Sequence, residues 1–392
     1  MIIDFAKQDF GTREKDAVLR VLDSEWLAAG PENEAFEREF AKYVGTDYAV
    51  CVNSGTSANI LALAALELPP GSKVLTSGCG FPATLSPILH CGLEPVLVDY
   101  DLETLNIHVG QVLARIATSD IKAIILAHSL GSPVELSKIR NACKEKGIFL
   151  IEDCCEAVGS MVNGEPVGKH CSLATYSFYP AHQITAGGAG GMIVTNNEDW
   201  CRNLKSLRDW GKCWNWDEQL GHKKTSYGSV VDGIPYYQHY IYDTVGYNMK
   251  LPDICAAFGR CQIEKLRPIA EDRMANYLYI KTEIDKIGCF EQIKTLENSI
   301  ISWFGYPLML RDGYSRDSLG KHLEDAGIRH RPFFAGNITR HRPFRHLKIE
   351  LPNADRIMRD VLFFGIWQGM GRERLNYIVE RIGEWKDSQS VS

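Results

Sequence analysis

The run Asn53-Ser54-Gly55-Thr56-Ser57 joins an apolar stretch, YAVCV, to a stretch of helical character rich in alanine and leucine. Glycine and small hydroxyl residues that open a helix present backbone N–H groups and the positive end of the helix dipole, which favours a bound phosphate. The same residues suit a plain strand-to-helix turn capped by Ser or Thr, and the segment alone leaves both interpretations open. A second hydroxyl, Ser177, ends the run CSLATYS and can lie beside the first.

A carboxylate ends another predicted buried strand, IFLIED, whose last residue is Asp153. Burying a carboxylate costs free energy unless it finds a cationic partner, such as a protonated ring nitrogen. A structural ion pair with an arginine or lysine is the alternative. Phe81 follows a further predicted strand and could stack on a flat ring, although a phenylalanine at a strand end is more often part of a core.

The elements that must position these residues alternate regularly between about residues 48 and 195. Short β-rich runs, separated by stretches of helical character, read YAVCV, KVLTS, PVLVDY, AIILAHS, IFLIED and GGMIVTN. This alternation predicts crossover units, and therefore an α/β fold with a mostly parallel sheet between helices. Ligands of such sheets bind beyond the carboxyl ends of the strands, where the turn at 53–57, Asp153 and Ser177 would all lie.

Residues 209–250 break this pattern with DWGKCWNW and a cluster of tyrosines, and we expect a lid or an oligomer arm there. A helical pattern then runs from Leu251 towards Lys286, with Pro268 marking a break or restart, and the strand-like run SWFGYPLML follows. We expect a large domain over residues 1–250 and a smaller C-terminal α/β domain over residues 251–392. No proline-rich linker separates them, so close packing is expected.

Composition excludes several classes of function. The 392 residues are 45% hydrophobic and carry 43 basic and 49 acidic side chains, a net charge of −6, without the basic block that nucleic acid requires. No run reaches the roughly 18 apolar residues of a membrane span, and the N-terminus lacks a signal-peptide pattern. The twelve cysteines are too sparse for a disulfide scaffold, which favours a reducing cytoplasm.

Taken together, the motifs resemble a known family over about residues 10–385. The chain looks like the pyridoxal-phosphate (PLP) enzymes of aspartate-aminotransferase fold, fold type I, that act on nucleotide-linked keto sugars. The matching blocks are NSGTSAN, GFPATLSPIL, IEDCCEAVGS, SFYPAHQITAGGAGGMIVTN, RDWG, GYNMKLPD and RPFFAGN. The resemblance implies that Gly55, Thr56, Ser57 and Ser177 hold the cofactor phosphate. It also implies that Asp153 pairs with the pyridine nitrogen of the cofactor, that Phe81 covers its ring and that Glu156 lies near its 3-oxygen. Asn248 would reach the phosphate from the other subunit of a homodimer, and Arg331 would contact the substrate.

The position of the family's Schiff-base lysine is held by His182. An imidazole forms no stable imine, but it is a capable general base and acid near neutral pH. The motif SFYPAH resembles the dehydratase branch of the family, which removes the 3-hydroxyl of nucleotide-linked 4-keto-6-deoxyhexoses in 3,6-dideoxysugar biosynthesis. The resemblance thus implies non-covalent PLP or pyridoxamine phosphate (PMP), regeneration from glutamate, and His182 as the base. A non-catalytic homologue that binds cofactor or nucleotide sugar is the alternative from another class.

Cysteine spacing separates two forms within that branch. The form that acts on CDP-4-keto-6-deoxyglucose holds an iron-sulfur cluster through the spacing C-x57-C-x-C-x7-C, which from Cys155 gives Cys213, Asn215 and Lys223. Two of four thiolates are missing, which argues against a cluster and for the cluster-free form that acts on GDP-4-keto-6-deoxymannose. Blocks such as RPFFAGN look closer to the cluster-bearing form. The sequence departs from the expected pattern at two further points. Gln183 stands where both dehydratase forms tend to have a second histidine, and the glycine run reads GGAGG where the family usually has GEGG.

Overall fold

The computed structural model describes residues 1–213, 229–237 and 240–389. A seven-stranded sheet forms the centre of its larger part. The strands are β1 (Tyr48–Val52), β2 (Lys73–Ser77), β3 (Glu94–Val98), β4 (Ile121–Ala127), β5 (Phe149–Asp153), β6 (Leu173–Ser177) and β7 (Gly191–Thr195), in the order β1-β7-β6-β5-β4-β2-β3. β7 pairs antiparallel with β1 and β6, whereas the other neighbouring strands pair in parallel. The predicted α/β fold with a mostly parallel sheet is therefore confirmed.

Helices cover both faces of this sheet. They are α1 (Thr12–Asp23), α2 (Pro31–Val44), α3 (Gly55–Ala64), α4 (Pro82–His90), α5 (Val109–Thr118), α6 (Ser137–Lys146) and α7 (Glu198–Arg208). On one face, Leu61 of α3 and Leu204 of α7 pack with Val50, and on the other, Phe36 of α2 packs with Cys51. Val50 and Cys51 are neighbours in β1, and successive strand residues point to opposite faces. Burial on both sides explains the continuous apolar runs.

The C-terminal part is a smaller α/β layer. Its helices are α8 (Asp253–Ile263), α9 (Leu266–Ile284), α10 (Arg316–Asp325), α11 (Pro352–Asp360) and α12 (Gly371–Ser388), and its antiparallel sheet joins β8 (Gly305–Met309), β10 (Val361–Gly365) and β9 (His330–Pro332). The break predicted near Pro268 falls between α8 and α9. Pro268 itself lies in the first turn of α9, where proline is tolerated. Ile3 is buried in the same hydrophobic core as this part. The domain boundary near residue 250 stays a prediction.

Shorter elements complete the described chain. Two- and three-residue strands lie at Tyr100–Asp101, Asn106–Ile107, Met161–Val162, Glu165–Pro166, Ser229–Val231, Ile234–Tyr236 and Ser299–Ile300, and 3₁₀ turns at Ser129–Gly131, Ile338–Arg340 and Arg342–Leu347. Strands 229–231 and 234–236 form a hairpin within the segment predicted to be a lid or arm. Among the residues described, none of the helices is long and apolar enough to span a membrane.

Candidate active site

Asp153 ends β5 at the carboxyl edge of the sheet, where its side chain is 5% exposed. Its Oδ2 accepts hydrogen bonds from Asn59 Nδ2 and Thr84 Oγ1, both at 2.8 Å. The backbone N–H of Cys155 donates to Oδ1 at 3.1 Å. Within the described ranges Asp153 forms no salt bridge with an arginine or lysine, so the structural ion pair considered from sequence is absent there.

The helix α3 begins directly after β1, and Ser54 caps it by accepting a hydrogen bond from the backbone N–H of Ser57 at 3.1 Å. Ser57 Oγ donates to Asn53 Oδ1 at 2.6 Å. The cap therefore exists, and it uses one of the N–H groups of the first turn. Thr56 at the next position is exposed, and its N–H finds no acceptor in the described part of the chain.

Ser177 ends β6 and lies against this turn. A Cβ added at Gly55 would fall 2.8 Å from Ser177 Cβ, which shows how tightly the two segments approach. The glycine run at residues 187–191 contacts the same turn. The N–H of Gly190 donates to Asn53 O at 2.9 Å, and a Cβ at Gly191 would fall 2.4 Å from Ser54 O. The structure thus brings Gly55, Thr56, Ser57 and Ser177 together at one corner.

A cavity of about 470 Å³ opens between the sheet edge and the C-terminal part. Six aromatic side chains line it: Phe5, Phe81, Tyr179, Phe304, Phe334 and Phe363. Phe81, at the start of α4, is 57% exposed and meets Phe334 edge-on at a ring-centroid distance of 6.3 Å. The interpretation of Phe81 as a core residue is therefore wrong, because its ring faces the cavity.

His182 lines the same cavity on the turn that follows β6. Its Nδ1 is buried without a hydrogen-bond partner in the described chain, and its ring lies 5.3 Å from that of Phe304 between centroids. Burial lowers the pKa of His182 to about 4, and the positive charge of Arg273 adds to this effect. The imidazole is therefore neutral at physiological pH, which differs from the near-neutral pKa expected from sequence because burial opposes the charged form.

Glu156 also lines the cavity, and its Oε2 accepts the backbone N–H of Leu130 at 2.7 Å. Burial raises the pKa of Glu156 to about 8, and the negative charge of Asp153 contributes in the same direction. At neutral pH the cavity therefore holds a mostly protonated carboxyl and a neutral imidazole. This pair has one group able to donate a proton and one able to accept it.

Arg331 and two arginines near it in sequence, Arg329 and Arg340, take different positions. Arg331 lines the cavity and lies over the ring of Phe5, 5.1 Å from the ring centroid to its Cζ. Arg329 pairs with Asp4 at 3.4 Å, and Arg340 pairs with Asp355. Of the three, Arg331 has the place from which a cation can reach a ligand in the cavity.

Asn248 lies outside the cavity of its own chain. Its side chain is exposed, and its backbone forms an isolated antiparallel bridge with Asp209. The carbonyl of the next residue, Met249, accepts the N–H of Asn53 at 2.9 Å. This segment therefore lies beside the turn at residues 53–57, called the phosphate turn below because of the phosphate that the resemblance implies there. A role for Asn248 in the site of a neighbouring subunit stays a prediction.

Of the four positions considered for a cluster, the two that hold cysteine are described and the other two are not. Cys155 is packed against the phosphate turn, with its Sγ 2.7 Å from where a Cβ of Gly55 would lie. Cys213 is described and partly buried, whereas Asn215 and Lys223 lie outside the described residues. Burial raises the pKa of the Cys155 thiol well above its usual range, so without a metal the thiol is protonated.

Two residues of the site were not singled out from the sequence. Asn59 and Thr84 donate hydrogen bonds to the carboxylate of Asp153. They lie near the starts of α3 and α4, within motif blocks quoted above whose roles were assigned to other residues. The side chain of Gln183 is buried beside Glu156 rather than facing the cavity. Only the full fold shows these contacts, because the partners are distant in sequence.

These residues fit the cofactor that the resemblance implies. A buried carboxylate without a cationic partner in the described chain suits a protonated ring nitrogen. The crowded corner at Gly55 and Ser177 suits a phosphate, and the exposed ring of Phe81 suits a flat ring. The buried Nδ1 of His182 has no hydrogen-bond partner in the described chain. Buried polar atoms are usually hydrogen-bonded, so this atom is available to a ligand in the cavity.

Residues 8–383 match the model of the DegT/DnrJ/EryC1/StrS aminotransferase family. The lipopolysaccharide biosynthesis protein RfbH of Salmonella typhimurium is 37% identical over 396 residues, 96% of this chain and 90% of the relative. The dTDP-4-dehydro-2,6-dideoxy-D-glucose 3-dehydratase of Saccharopolyspora spinosa is 36% identical over 380 residues, 92% of this chain and 81% of the relative.

A solved structure of GDP-4-keto-6-deoxymannose-3-dehydratase, with a trapped PLP-glutamate geminal diamine, has the same fold. Its TM-score is 0.86 at 28% identity, with 96% of this chain and 99% of the other covered. The resemblance drawn from the motifs is confirmed at the level of family and fold. The chain belongs to the DegT/DnrJ/EryC1/StrS aminotransferase family, whose model covers almost its whole length.

Proposed function

We propose that this chain is a PLP- and PMP-dependent 3-dehydratase that removes the C3 hydroxyl of a nucleotide-linked 4-keto-6-deoxyhexose. The observation that carries the proposal is His182, which stands where the family's aminotransferases have their lysine and shares a cavity with Glu156. A histidine at this point binds no cofactor covalently, yet it moves protons. The relative from Saccharopolyspora spinosa and the solved structure, both named as 3-dehydratases, support this assignment.

The residues that would hold the cofactor are those at the sheet edge. Asp153 would pair with the ring nitrogen, Phe81 would cover the ring, and Gly55, Thr56, Ser57 and Ser177 would hold the phosphate. When bound, the cofactor supplies an electron sink for chemistry next to the sugar carbonyl. Binding is non-covalent in this proposal, and the glutamate named with the solved structure supports glutamate as the amino donor.

The two titratable groups of the cavity take complementary roles. His182, neutral at physiological pH, would accept a proton and return it to the departing hydroxyl, which leaves as water. Glu156, protonated at the same pH, would donate a hydrogen bond to the 3-oxygen of the cofactor. Arg331 would bind the sugar or a diphosphate oxygen from the cavity wall. A cytoplasmic location, expected from the cysteine usage, accompanies the proposal.

Mass spectrometry of the sugar product tests the proposal. The protein would be incubated with PMP, glutamate and either a GDP-linked or a CDP-linked 4-keto-6-deoxyhexose. We expect a nucleotide sugar that has lost one oxygen, release of ammonia, and a single turnover when glutamate is omitted. A 4-amino sugar that keeps every other oxygen would instead assign amino transfer.

The iron-sulfur-dependent 3-dehydrase is a second candidate, since Cys155 and Cys213 keep two of the four spaced positions. The packing of Cys155 against the phosphate turn accounts for its burial without a cluster. Iron and sulfide are measured in anaerobically purified protein. We expect a protein without brown colour, and stoichiometric iron and sulfide would make this candidate the better assignment.

A non-catalytic binder of cofactor or nucleotide sugar is the remaining candidate. A catalytic His182 would exchange the C4′ proton of bound PMP with solvent deuterium once the keto sugar is present. We therefore expect exchange in the wild-type protein, measured by mass spectrometry of recovered cofactor. Complete absence of exchange, with both ligands shown to be bound, would favour the binder.

A further inference from the structure

Gln183 follows His182 directly, and its side chain is 1% exposed. Its Nε2 donates to two main-chain carbonyls, Glu156 O at 2.5 Å and Ser302 O at 2.6 Å. Only the NH₂ end of an amide can serve two carbonyl acceptors, so the orientation of the side chain is fixed by its partners. Gln183 thereby connects the loop that carries His182 with the loop that carries Glu156.

The surrounding contacts form one buried junction. The N–H of Leu130 binds the carboxyl group of Glu156, and the carbonyl of Leu130 accepts the N–H of Phe304 at 2.9 Å. The ring of Phe304 in turn lies against His182. A Cβ at Gly131 would fall 2.6 Å from Ser302 O and 3.1 Å from Glu156 O, so the two carbonyls that Gln183 binds are held side by side.

His182 itself has little to hold it. The described chain offers its Nδ1 no hydrogen-bond partner, and its backbone N–H donates to Tyr179 O at 2.9 Å within the same turn. Its position relative to Glu156 must therefore be set by neighbouring backbone and ring contacts. The side chain of the next residue supplies the hydrogen-bonded link to Glu156.

We propose that Gln183 is a positioning residue that fixes the separation of His182 and Glu156 across the cavity. The inference deepens the function proposed above and rests on it for its kinetic consequence. A histidine, which the dehydratase forms tend to have at this position, donates only one N–H from a given ring nitrogen and cannot bridge both carbonyls from that atom. A glutamine has both the length and the two donors.

The matched control is Gln262, a second buried glutamine. It is 1% exposed, and its Nε2 donates to Asp9 O at 2.9 Å and to Glu14 Oε1 at 2.7 Å, in a part of the molecule away from the cavity. Gln183→Met and Gln262→Met both keep side-chain length, and each removes the two hydrogen bonds that a buried amide donates. A loss of general stability therefore affects both variants, whereas a loss of positioning affects Gln183→Met alone.

The first readout is steady-state kinetics at matched distance from each variant's melting temperature. A displacement of about 1 Å at a reacting group costs on the order of 10²-fold in rate. We expect Gln183→Met to lose about that factor in kcat with little change in KM, and Gln262→Met to stay within about twofold of wild type. Gln183→His, which keeps one donor, should retain an intermediate kcat. Equal kcat in wild type and Gln183→Met would overturn the proposal.

The second readout needs neither cofactor nor activity, and so it separates this proposal from the proposed function. Histidines are labelled with ¹³C at Cε1, His182 is assigned by its absence from His182→Asn, and its pH titration is followed in the apo protein. Within the described chain, the charged or titratable groups that share the cavity with His182 or act on it are Glu156, Tyr179, Arg331 and Arg273. None of them is changed by substitution of Gln183.

We expect the titration of His182 to move towards the ordinary histidine pKa in Gln183→Met, because a displaced loop admits water, and to be unchanged in Gln262→Met. An unchanged titration in Gln183→Met would overturn positioning whatever the enzyme does. If the titration of His182 shifts in Gln183→Met but the wild-type protein makes no 3-deoxy product, the positioning role of Gln183 stands and the proposed dehydratase function fails. If Gln183→Met does not fold, Gln183→His is judged by the same two criteria.

Discussion

A Cβ built on Gly55 would lie 2.8 Å from the Cβ of Ser177, which is closer than real side chains approach. The first residue of α3 and the last residue of β6 are thus in direct contact across the carboxyl edge of the sheet. Only glycine permits this approach, and the approach gathers the hydroxyl of Ser177 and the N-terminus of α3 at one point. A phosphate bound there would meet both.

Gly55→Ala should therefore weaken cofactor binding. The added methyl group meets Ser177 and Cys155 and forces the helix away from the strand. Overpacking of this kind costs about 1–3 kcal/mol of folding stability, and the loss of PMP affinity is at most the corresponding factor of roughly 150-fold, because only the part of the strain that binding increases affects the affinity. Fluorescence titration with PMP measures the effect. Gly383→Ala in α12 is the control, because a Cβ there meets nothing within 4 Å and should leave PMP affinity unchanged.

His182→Asn should abolish most of the dehydration while sparing cofactor binding. Asparagine has a similar shape but no titratable nitrogen, and general acid and base groups contribute about 10²- to 10⁴-fold. Product formation would fall by that order, whereas PMP affinity, set by Asp153 and the phosphate turn, should change little. Dehydration at the wild-type rate in this variant would place the base elsewhere.

His182→Lys should restore the covalent attachment that the family's aminotransferases have. Borohydride reduction with PLP, followed by peptide mapping, should then give a pyridoxyl-lysine at position 182. Wild-type protein treated in the same way should give none in that peptide. A stoichiometric adduct on another lysine of the wild type would contradict non-covalent binding. The variant should also transfer some amino groups from glutamate to the keto sugar.

The pH dependence of kcat/KM should follow the two groups of the cavity. Burial places the pKa of His182 at about 4 and that of Glu156 at about 8, so the required forms, neutral imidazole and protonated carboxyl, coexist between these values. Activity should fall above about pH 8 as Glu156 ionises and should hold well below the ordinary histidine pKa. Glu156→Gln keeps a donor that does not titrate, and it should remove the alkaline limb. Persistence of that limb would assign it to another group.

The sequence predicted the fold through features that are local. Strand runs bounded by turn residues, such as KVLTS at 73–77, correspond to strands of the same bounds, because burial on both faces demands continuous apolar residues. The antiparallel direction of β7 was not predicted. Residues 178–190 between β6 and β7 contain no helix that could cross over the sheet, and the chain returns as an antiparallel neighbour of β6.

The site was predictable where a residue type has few other uses. A carboxylate at the end of a buried strand, Asp153, indicated a need for a cationic partner, either a ligand or an arginine or lysine of the chain. The partners that hold it, Asn59 and Thr84, were not predicted, because uncharged polar residues in the first turns of helices have many structural roles. The lowered pKa of His182 also required the fold, since its cause is burial by residues distant in sequence.

The last prediction concerns the assembly of the site. Asn248 is exposed at the end of a segment beside the phosphate turn, and the family resemblance places it in the site of the other subunit of a homodimer. Asn248→Asp would bring a negative charge towards the phosphate and weaken PMP binding, whereas His182→Asn removes the base. Each variant alone should be nearly inactive.

Co-expression of the two variants decides whether Asn248 acts across the interface. In a dimer of one subunit of each kind, a composite arrangement combines the native His182 of the first subunit with the native Asn248 of the second, which restores one site of the two. Random assembly of C₂ dimers makes half of them mixed, so about a quarter of wild-type activity should return. If Asn248 served its own chain, every site in the mixture would keep one defect and activity would stay at the level of the single variants. Analytical ultracentrifugation of each preparation establishes that dimers are the species assayed, and full PMP affinity in a monomer would contradict the prediction directly.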